Sequence, residues 1–393
     1  MRRRKLVNST SIFLHKLLSK KKIILHNNLD LLIVTPGDHA LKIRYFLVQL
    51  KKRHINFLLV IHNLTLKERL LLLRENIPFL QINELGTRKI FIKGTKLKLN
   101  GKFGKNQNNK RALELFGKLS PKILLTTTDP DPKVLPFINM AKKMNIRTIT
   151  IQHGAYESAK GANFKSAMAF IWGDYYRKWF IERLKKQNRV LKITGSPFFD
   201  QFKVQKLENS KFSVSKLRIL LLLTKYPSYE SFLNNEVTKL IDYLSKIGVS
   251  EILLRPHPWQ KLGKDLFLNK GYTKIKEETG SLDDSLKRSG IVVTLNTTAG
   301  FDALIAGKPL IYWNIPKFDT LPFGRSVPSA TTAKEVAVLC LELARGQLKI
   351  DDKKRHQLLS DVFYKLDGNS SKRIVQFIYK YLDSFPKNEV VVN

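Results

Sequence analysis

The chain has a single cysteine in 393 residues, Cys340, which excludes an intramolecular disulfide and any cysteine-based zinc cluster. Cys340 lies in the helical apolar pattern EVAVLCLELA, where it reads as a buried core residue. Acidic residues are scarce: 32 Asp and Glu stand against 70 Lys and Arg, a formal net charge of +38. Long apolar runs are absent too. Runs such as Ile219 to Leu223 are strand-sized and far short of the roughly 20 residues that span a bilayer. There is no GxxxxGK[ST] phosphate loop, no GxGxxG dinucleotide turn and no His or carboxylate cluster with ligand spacing. A P-loop ATPase and a dinucleotide enzyme therefore lack their fingerprints, and neither a structural metal nor a cofactor is expected.

What is present is enough apolar sequence for full cores, in a chain too long for one of them. Strand-like and helix-like patterns alternate, which predicts an α/β protein with mostly parallel strands. DLLIVT, NFLLVIH, KILLTTT and TITIQ are strands of a first half. The polar, weakly periodic stretch 203–216 reads as a linker, after which RILLLLT, EILLRPHP, IVVTLN and PLIYW repeat the alternation. The expected boundaries are a basic extension over 1–29, domains over 30–202 and 217–383, and a tail over 384–393.

The basic surface suits polyanions: nucleic acid, anionic lipid headgroups or phosphorylated substrates. A plain compositional bias toward Lys gives the same numbers. No RNP-like aromatic interleaving, helix-turn-helix or finger pattern appears, so a specific nucleic-acid partner is not expected. MRRRKLVNSTSIFLHKLLSKKKIIL begins like a signal peptide, but His15 and Lys16 interrupt its apolar stretch and no small-residue cleavage site follows. Contact with a membrane surface and a solvated tail both fit it.

Three groups of chemistry-bearing residues follow strands, where open parallel sheets place ligands. TITIQ hands His153 to Gly154, with Glu157 close in sequence. A histidine there can take a proton near neutral pH, and a glycine allows a sharp turn. The plain alternative is a histidine that caps the strand on a neighbouring carbonyl. Next, Arg255-Pro256-His257-Pro258 presents two basic side chains on a stiff loop suited to phosphate oxygens. An ordinary Pro-rich turn is the alternative. Finally, Asn296-Thr297-Thr298-Ala299-Gly300 leads into a helix whose first amides favour an anion, with Asp302 one turn later for ribose hydroxyls. A ligand-free Thr cap is the alternative. Asp38 and His39 after the first strand, Asp129 after KILLTTT, and Thr224-Lys225-Tyr226 after RILLLLT are further candidates.

The ordered series QHG, WGDYYRKWF, ITGSPFFD, RPHP and TLNTTAGFDALIAGKPLI, with an echo at DGNSSKRIVQFI, resembles bacterial surface-polysaccharide glycosyltransferases of GT-B type. Capsule-polysaccharide transferases, polysialyltransferase-like proteins and CDP-glycerol glycerophosphotransferases are in that neighbourhood. The resemblance spans residues 122–309. It implies two Rossmann-like domains facing a central cleft, the first offering the acceptor and the second holding a nucleotide-activated donor. It implies His153 as the base; from their own positions in the sequence, Glu157 is expected to orient or tune that imidazole and Asp38 to line the cleft. It carries His257, Thr297 and Thr298 onto the donor phosphates and Asp302 toward the ribose; Arg255, Gly300, Thr224 and Lys225 are expected at the donor from their strand-end positions. Asp302 stands where a Glu is more usual, and the acidic D/E-D/E-G base motif of the sialyltransferase branch is missing. The implied activity is metal-independent sugar transfer to a polysaccharide or lipid-linked acceptor, with CDP-polyol phosphotransfer the alternative. The implied setting is the cytoplasm, with contact to the anionic inner face of the plasma membrane.

Overall fold

The computed structural model describes residues 23–25, 29–61, 64–81, 90–92, 95–96, 108–156, 162–209, 211–224, 230–257, 274–316 and 321–384. Most of the basic extension, the tail after Ser384, Glu157 and Lys225 lie outside the described residues. The chain divides into two compact units. Unit 1 comprises Met1–His153, Ala162–Gln201 and Tyr364–Asn393; unit 2 comprises Gly154–Gly161 and Phe202–Phe363.

Unit 1 is built on a seven-stranded sheet in which every pairing is parallel. In chain order its strands are β2 (Leu31–Thr35), β3 (Phe57–Ile61), β4 (Phe79–Gln81), β7 (Ile123–Thr126), β8 (Arg147–Ile151), β9 (Met168–Ile171) and β10 (Leu191–Ile193). A small separate sheet contains β1 (Ile23–Leu25), β5 (Ile90–Ile92) and β6 (Thr95–Lys96). Strands β2 and β3 are buried at all five positions, as their unbroken apolar sequences LLIVT and FLLVI require. A parallel sheet covered by helices on both faces has no wet side, so its strands do not alternate. Phe116 of helix Asn108–Leu119 and Phe137 and Ile138 of helix Leu135–Lys143 pack with Leu32, Val34, Leu58 and Leu124.

The spatial order β10-β9-β8-β7-β2-β3-β4 puts the topological switch point between β2 and β7. From β2 the chain winds outward through β3 to β4; from β7 it winds the other way. Connections leave on opposite faces at such a point, and a crevice opens beyond the strand C-termini.

Unit 2 repeats the design with six parallel strands: β11 (Arg218–Leu222), β12 (Glu251–Arg255), β13 (Ile275–Glu277), β14 (Ile291–Thr294), β15 (Leu310–Trp313) and β16 (Ser329–Ala330). Their order, β13-β12-β11-β14-β15-β16, places its switch point between β11 and β14. The core joins Ile219, Leu221, Ile252 and Val293 to Leu240 and Leu244 of helix Glu230–Ile247 and Val336 and Cys340 of helix Ala333–Arg345. Helix Ala333–Arg345 starts in a capping box of Thr332 and Glu335 and stops at Gly346, in the left-handed region with φ 70. Cys340 is buried there, and burial pushes its thiol far above the usual range.

Two segments differ from the expected boundaries. The stretch 203–216 is no loose tether. Gln205 N donates to the Ile305 carbonyl and Glu208 N to the Gly307 carbonyl, each at 2.8 Å. Lys308 binds Glu208, and the buried Arg355 donates to the Leu304 and Gln205 carbonyls. Gly307 has φ +71, and a Cβ there would lie 2.2 Å from the Lys206 carbonyl oxygen, so the strap demands glycine at that point. Its polar side chains are mostly exposed, while its backbone is tied to the rest of unit 2.

Helix Ser370–Asp383, expected at the end of the second domain, belongs to unit 1, where it packs on helix Arg44–Lys52. The Asp200 carboxylate holds its first turn, accepting from Ser370 N at 2.9 Å and Ser371 N at 2.6 Å. Arg373 reaches back to the Thr194 carbonyl. The motifs ITGSPFFD and DGNSSKR are therefore partners in one clamp, with Asp200 acting as the cap. Asp200→Ala is expected to lose about 1–2 kcal/mol of stability and to fray this helix first. Urea unfolding, with limited proteolysis of the C-terminus, checks it; an unchanged unfolding midpoint would sink the capping role.

Candidate functional site

Unit 1 gathers its polar groups at the switch point. Thr35 ends β2 and Thr127 follows β7, and their hydroxyl oxygens lie 2.6 Å apart with both residues fully buried. Helix Gly37–Lys42 begins directly after β2, and Nδ1 of its His39 is 2.9 Å from Thr127 Oγ1. From the tip of β8, His153 brings its ring to 4.8 Å from that of His39, and Phe198 closes on His39 edge-on at 5.5 Å. Neighbouring Gln152 fixes this tip: Trp172 N donates to its side-chain oxygen at 3.0 Å and Trp172 Nε1 to its carbonyl at 2.8 Å. The QHG and WGD motifs are thus one buried joint.

His153 hydrogen-bonds the Thr127 backbone. This is the carbonyl cap that was the plain alternative to a catalytic role, and it is present. It does not remove the chemistry. A neutral imidazole that gives one N–H to a carbonyl carries its lone pair on the other nitrogen. Burial drives the ring from its ordinary 6.5 down to about 4, with the Thr127 bond opposing, Lys42 assisting and Asp38 opposing. His39 is held well below the same value by burial, then by the charge of His153 and of Lys42. Asp38 itself is exposed, 3.9 Å from both His39 Nε2 and Lys42 Nζ, and acts on His153 through its field.

Because the neutral form of His153 is favoured in the folded chain, its linkage has one sign. Above about 6.5 both folded and unfolded rings are neutral; as pH falls toward about 4 the unfolded ring binds its proton first and stability is lost. For a reaction that needs the neutral ring, the acid limb of kcat/KM is expected near pH 4, well below the ordinary 6.5. A pH–rate profile checks this, and an acid limb at the ordinary histidine value would contradict it.

Gly154 departs from expectation. Its φ is not left-handed, and a Cβ there would meet Thr298 Oγ1 at 3.5 Å, an ordinary contact. The turn does not require glycine. Gly154–Gly161 clusters with unit 2, where Ala155 N donates to Thr298 Oγ1 at 3.0 Å. Asp129 is a structural anchor: it accepts from Lys165 N, Ser166 N and the Thr126 hydroxyl.

In unit 2 the candidate residues stand after the three central strands. Thr224 follows β11 and is buried; Arg255 ends β12, with the partly exposed His257 two residues on. Thr297 and Thr298 stand between β14 and helix Ala299–Ile305. Thr298 does not cap that helix with its side chain; its oxygen serves Ala155 instead. Gly300 is buried, and a Cβ there would come within 2.6 Å of Phe323 Cζ and 3.0 Å of Thr294 Oγ1, so its role includes close packing. Arg255 Nη1 donates to the Gly280 carbonyl at 2.9 Å and to Ser285 Oγ at 3.2 Å. Ser285 in turn donates to buried Glu278, which Arg288 also binds. Burial lowers the Arg255 guanidinium from its usual value, while Glu278 and Asp302 raise it, so Asp302 acts on Arg255 from its neighbouring helix.

No family model matches the sequence. No curated protein matches it either. Solved structures do. The UDP-GlcNAc 2-epimerase of Neisseria meningitidis, bound to UDP-GlcNAc, superposes with a TM-score of 0.59 at 13% identity, covering 90% of this chain and 100% of its own. A glycosyltransferase of Rickettsia africae gives 0.54 at 15% identity, covering 90% and 99%. The wall teichoic acid polymerase TagF, as an H444N variant, gives 0.51 at 13% identity, covering 97% of each chain. The fold is GT-B. At these identities the likeness is one of architecture, and it meets the expectation of two Rossmann-like domains.

The residues that sequence reasoning missed are Thr35, Thr127 and Gln152. Each sits at or just past a strand end, which was visible. That Thr127 lies beside Thr35 depends on β7 pairing with β2, some 90 residues away, which no local pattern carries.

Proposed function

We propose that the chain is a glycosyltransferase that moves a sugar from a nucleotide-activated donor to a hydroxyl of a growing cell-surface polysaccharide or a lipid-linked acceptor. The observation that carries this reading is the placement of His153: a histidine at the tip of β8, one strand from the switch point, its ring 4.8 Å from that of His39, in a chain of GT-B fold. His153 takes the acceptor proton as the oxygen attacks the anomeric carbon. The bond from that carbon to the donor phosphate breaks, and His257, Thr297 and Thr298 stabilise the charge on the departing phosphate. Arg255, Thr224 and Lys225 add to that field, Gly300 allows close packing beneath it, and Asp302 meets the ribose. Asp38 and Glu157 tune the base. The Neisseria meningitidis epimerase, solved with UDP-GlcNAc, supports a nucleotide-sugar ligand.

A second reading keeps the residues and changes the donor to a CDP-polyol, with phosphate transfer as the reaction. The match to a teichoic acid polymerase over 97% of both chains favours it. Ligand-induced thermal shift across UDP-, GDP-, CMP- and CDP-activated sugars and CDP-polyols separates the two, since a bound donor stabilises the native state. Product analysis with and without a hydroxyl acceptor completes the test. Donor conversion that needs no acceptor would point to epimerisation and overturn the transfer reading.

The charge of +38 suits docking to the anionic inner face of the plasma membrane, where lipid-linked acceptors are presented. Among the described residues no helix is long and apolar enough to cross a membrane. Sedimentation with anionic and neutral vesicles tests peripheral binding; equal binding to both would remove this part of the reading.

A further inference from the structure

His39 is the member of the strand-end cluster to which the proposed reaction gives no task. Its side chain is only 12% exposed, and its ring lies 4.8 Å from that of His153 with the planes 32° apart. Both imidazoles hang on Thr127, His39 through the hydroxyl and His153 through the backbone. The Thr127 hydroxyl is itself held by Thr35, and Phe198 meets His39 edge-on at 5.5 Å. Two rings stacked this closely in a half-dry site repel strongly if both are charged, so a proton on one keeps it off the other.

We propose that His39 and His153 act as one base that holds a single proton, with His39 the neutral positioning partner of the ring that takes it. The inference rests on the reading of His153 as the base. In the step itself, the acceptor O–H bond breaks and its proton goes to the His153 ring nitrogen. The acceptor oxygen bonds the anomeric carbon, and the bond from that carbon to the phosphate oxygen breaks, its electron pair leaving with the nucleotide. His39 gains no proton; it keeps the His153 ring from swinging as charge appears on it.

The groups that face His39 fit this role. Its own helix brings Asp38 at 3.9 Å and Lys42, while β8 brings His153. The turn after β7 brings the Thr127 hydroxyl, and Pro197–Phe199 brings the uncharged Phe198. Helix Leu66–Arg74 packs on Gly37–Lys42, and its buried Arg69 is committed to Gln81. Burial and the His153 charge together hold His39 in its neutral form.

Ring nitrogen NMR of the full chain, titrated from about pH 7.5 to about pH 4, tests the pairing without any activity assay. The His153 ring is expected to begin protonating on the acid side while His39 stays neutral. In His153→Asn, His39 should take its proton at a higher pH than in the unaltered protein; an unmoved His39 overturns the pairing. The kinetic arm uses His39→Phe, which keeps a ring against Phe198 and His153 but cannot bond Thr127. Its kcat should fall about tenfold or more at unchanged donor KM, with partial rescue by His39→Asn. Unchanged kcat in His39→Phe overturns the positioning role. Full turnover by His153→Asn overturns the base reading instead, and the NMR shift then judges the pairing alone.

Discussion

Replacing His153 by alanine is expected to lower turnover about a hundredfold to ten-thousandfold while donor affinity stays where it was. A base acts on the acceptor proton and only as the transition state forms, so its removal appears in kcat and not in donor binding. Alanine alone would be an ambiguous test, because it also leaves the Thr127 carbonyl without its donor. A buried carbonyl stripped of its partner costs about 1–3 kcal/mol, and that loss could disturb the strand tip. His153→Asn resolves the ambiguity. An asparagine amide can still donate to the carbonyl but cannot take a proton. If His153 only caps its strand, the asparagine variant keeps its turnover and the base assignment is lost. If His153 is the base, both variants fail alike, while thermal unfolding shows the asparagine protein closer to the unaltered one.

The histidine is also where sequence and structure can be weighed against each other. TITIQHG announces a strand with a histidine at its tip, and that much is local information; the strand Arg147–Ile151 is buried at four of its five positions. The same local logic located β2, β7, β11, β12 and β14 and the loops that follow them. What local pattern could not carry was adjacency. His39, Thr35 and Thr127 matter because β7 pairs with β2, a contact closed by the whole first half of unit 1. Helix Ser370–Asp383 makes the same point from the other end. Its apolar face is plain in SSKRIVQFIYKYLD, yet nothing in that face says it packs in unit 1; the deciding bonds come from Asp200, 170 residues earlier. The stretch 203–216 misled for a related reason. Backbone hydrogen bonding leaves no mark on composition, so a tightly bound segment read as a tether.

Thr298→Val and His257→Ala are expected to weaken donor binding by about tenfold to a hundredfold each, the range for a lost hydrogen bond to a charged group. His257 follows β12, next to the central strand β11 in the sheet, and Thr298 follows β14 on the other side of β11. Thr298 has a competing explanation that the structure makes specific. Its oxygen accepts from Ala155 N at 3.0 Å, so the side chain holds a loop whether or not it meets a phosphate. The two roles use different halves of the hydroxyl. Holding Ala155 needs the oxygen lone pair; binding a phosphate needs the O–H, which an acceptor bond leaves available to donate. Valine removes both and serine restores both, so that pair alone cannot separate them, but the pair of readouts can. If the hydroxyl serves only the loop, Thr298→Val lowers the unfolding temperature of the ligand-free protein while donor affinity, measured by calorimetry on protein still folded, stays unchanged. If it also serves the phosphate, affinity falls as well. The thermal shift that the donor produces then shrinks in proportion, and Thr298→Ser returns it. His257→Ala is read the same way, with donor affinity measured by calorimetry on protein still folded; unchanged affinity would remove its phosphate role.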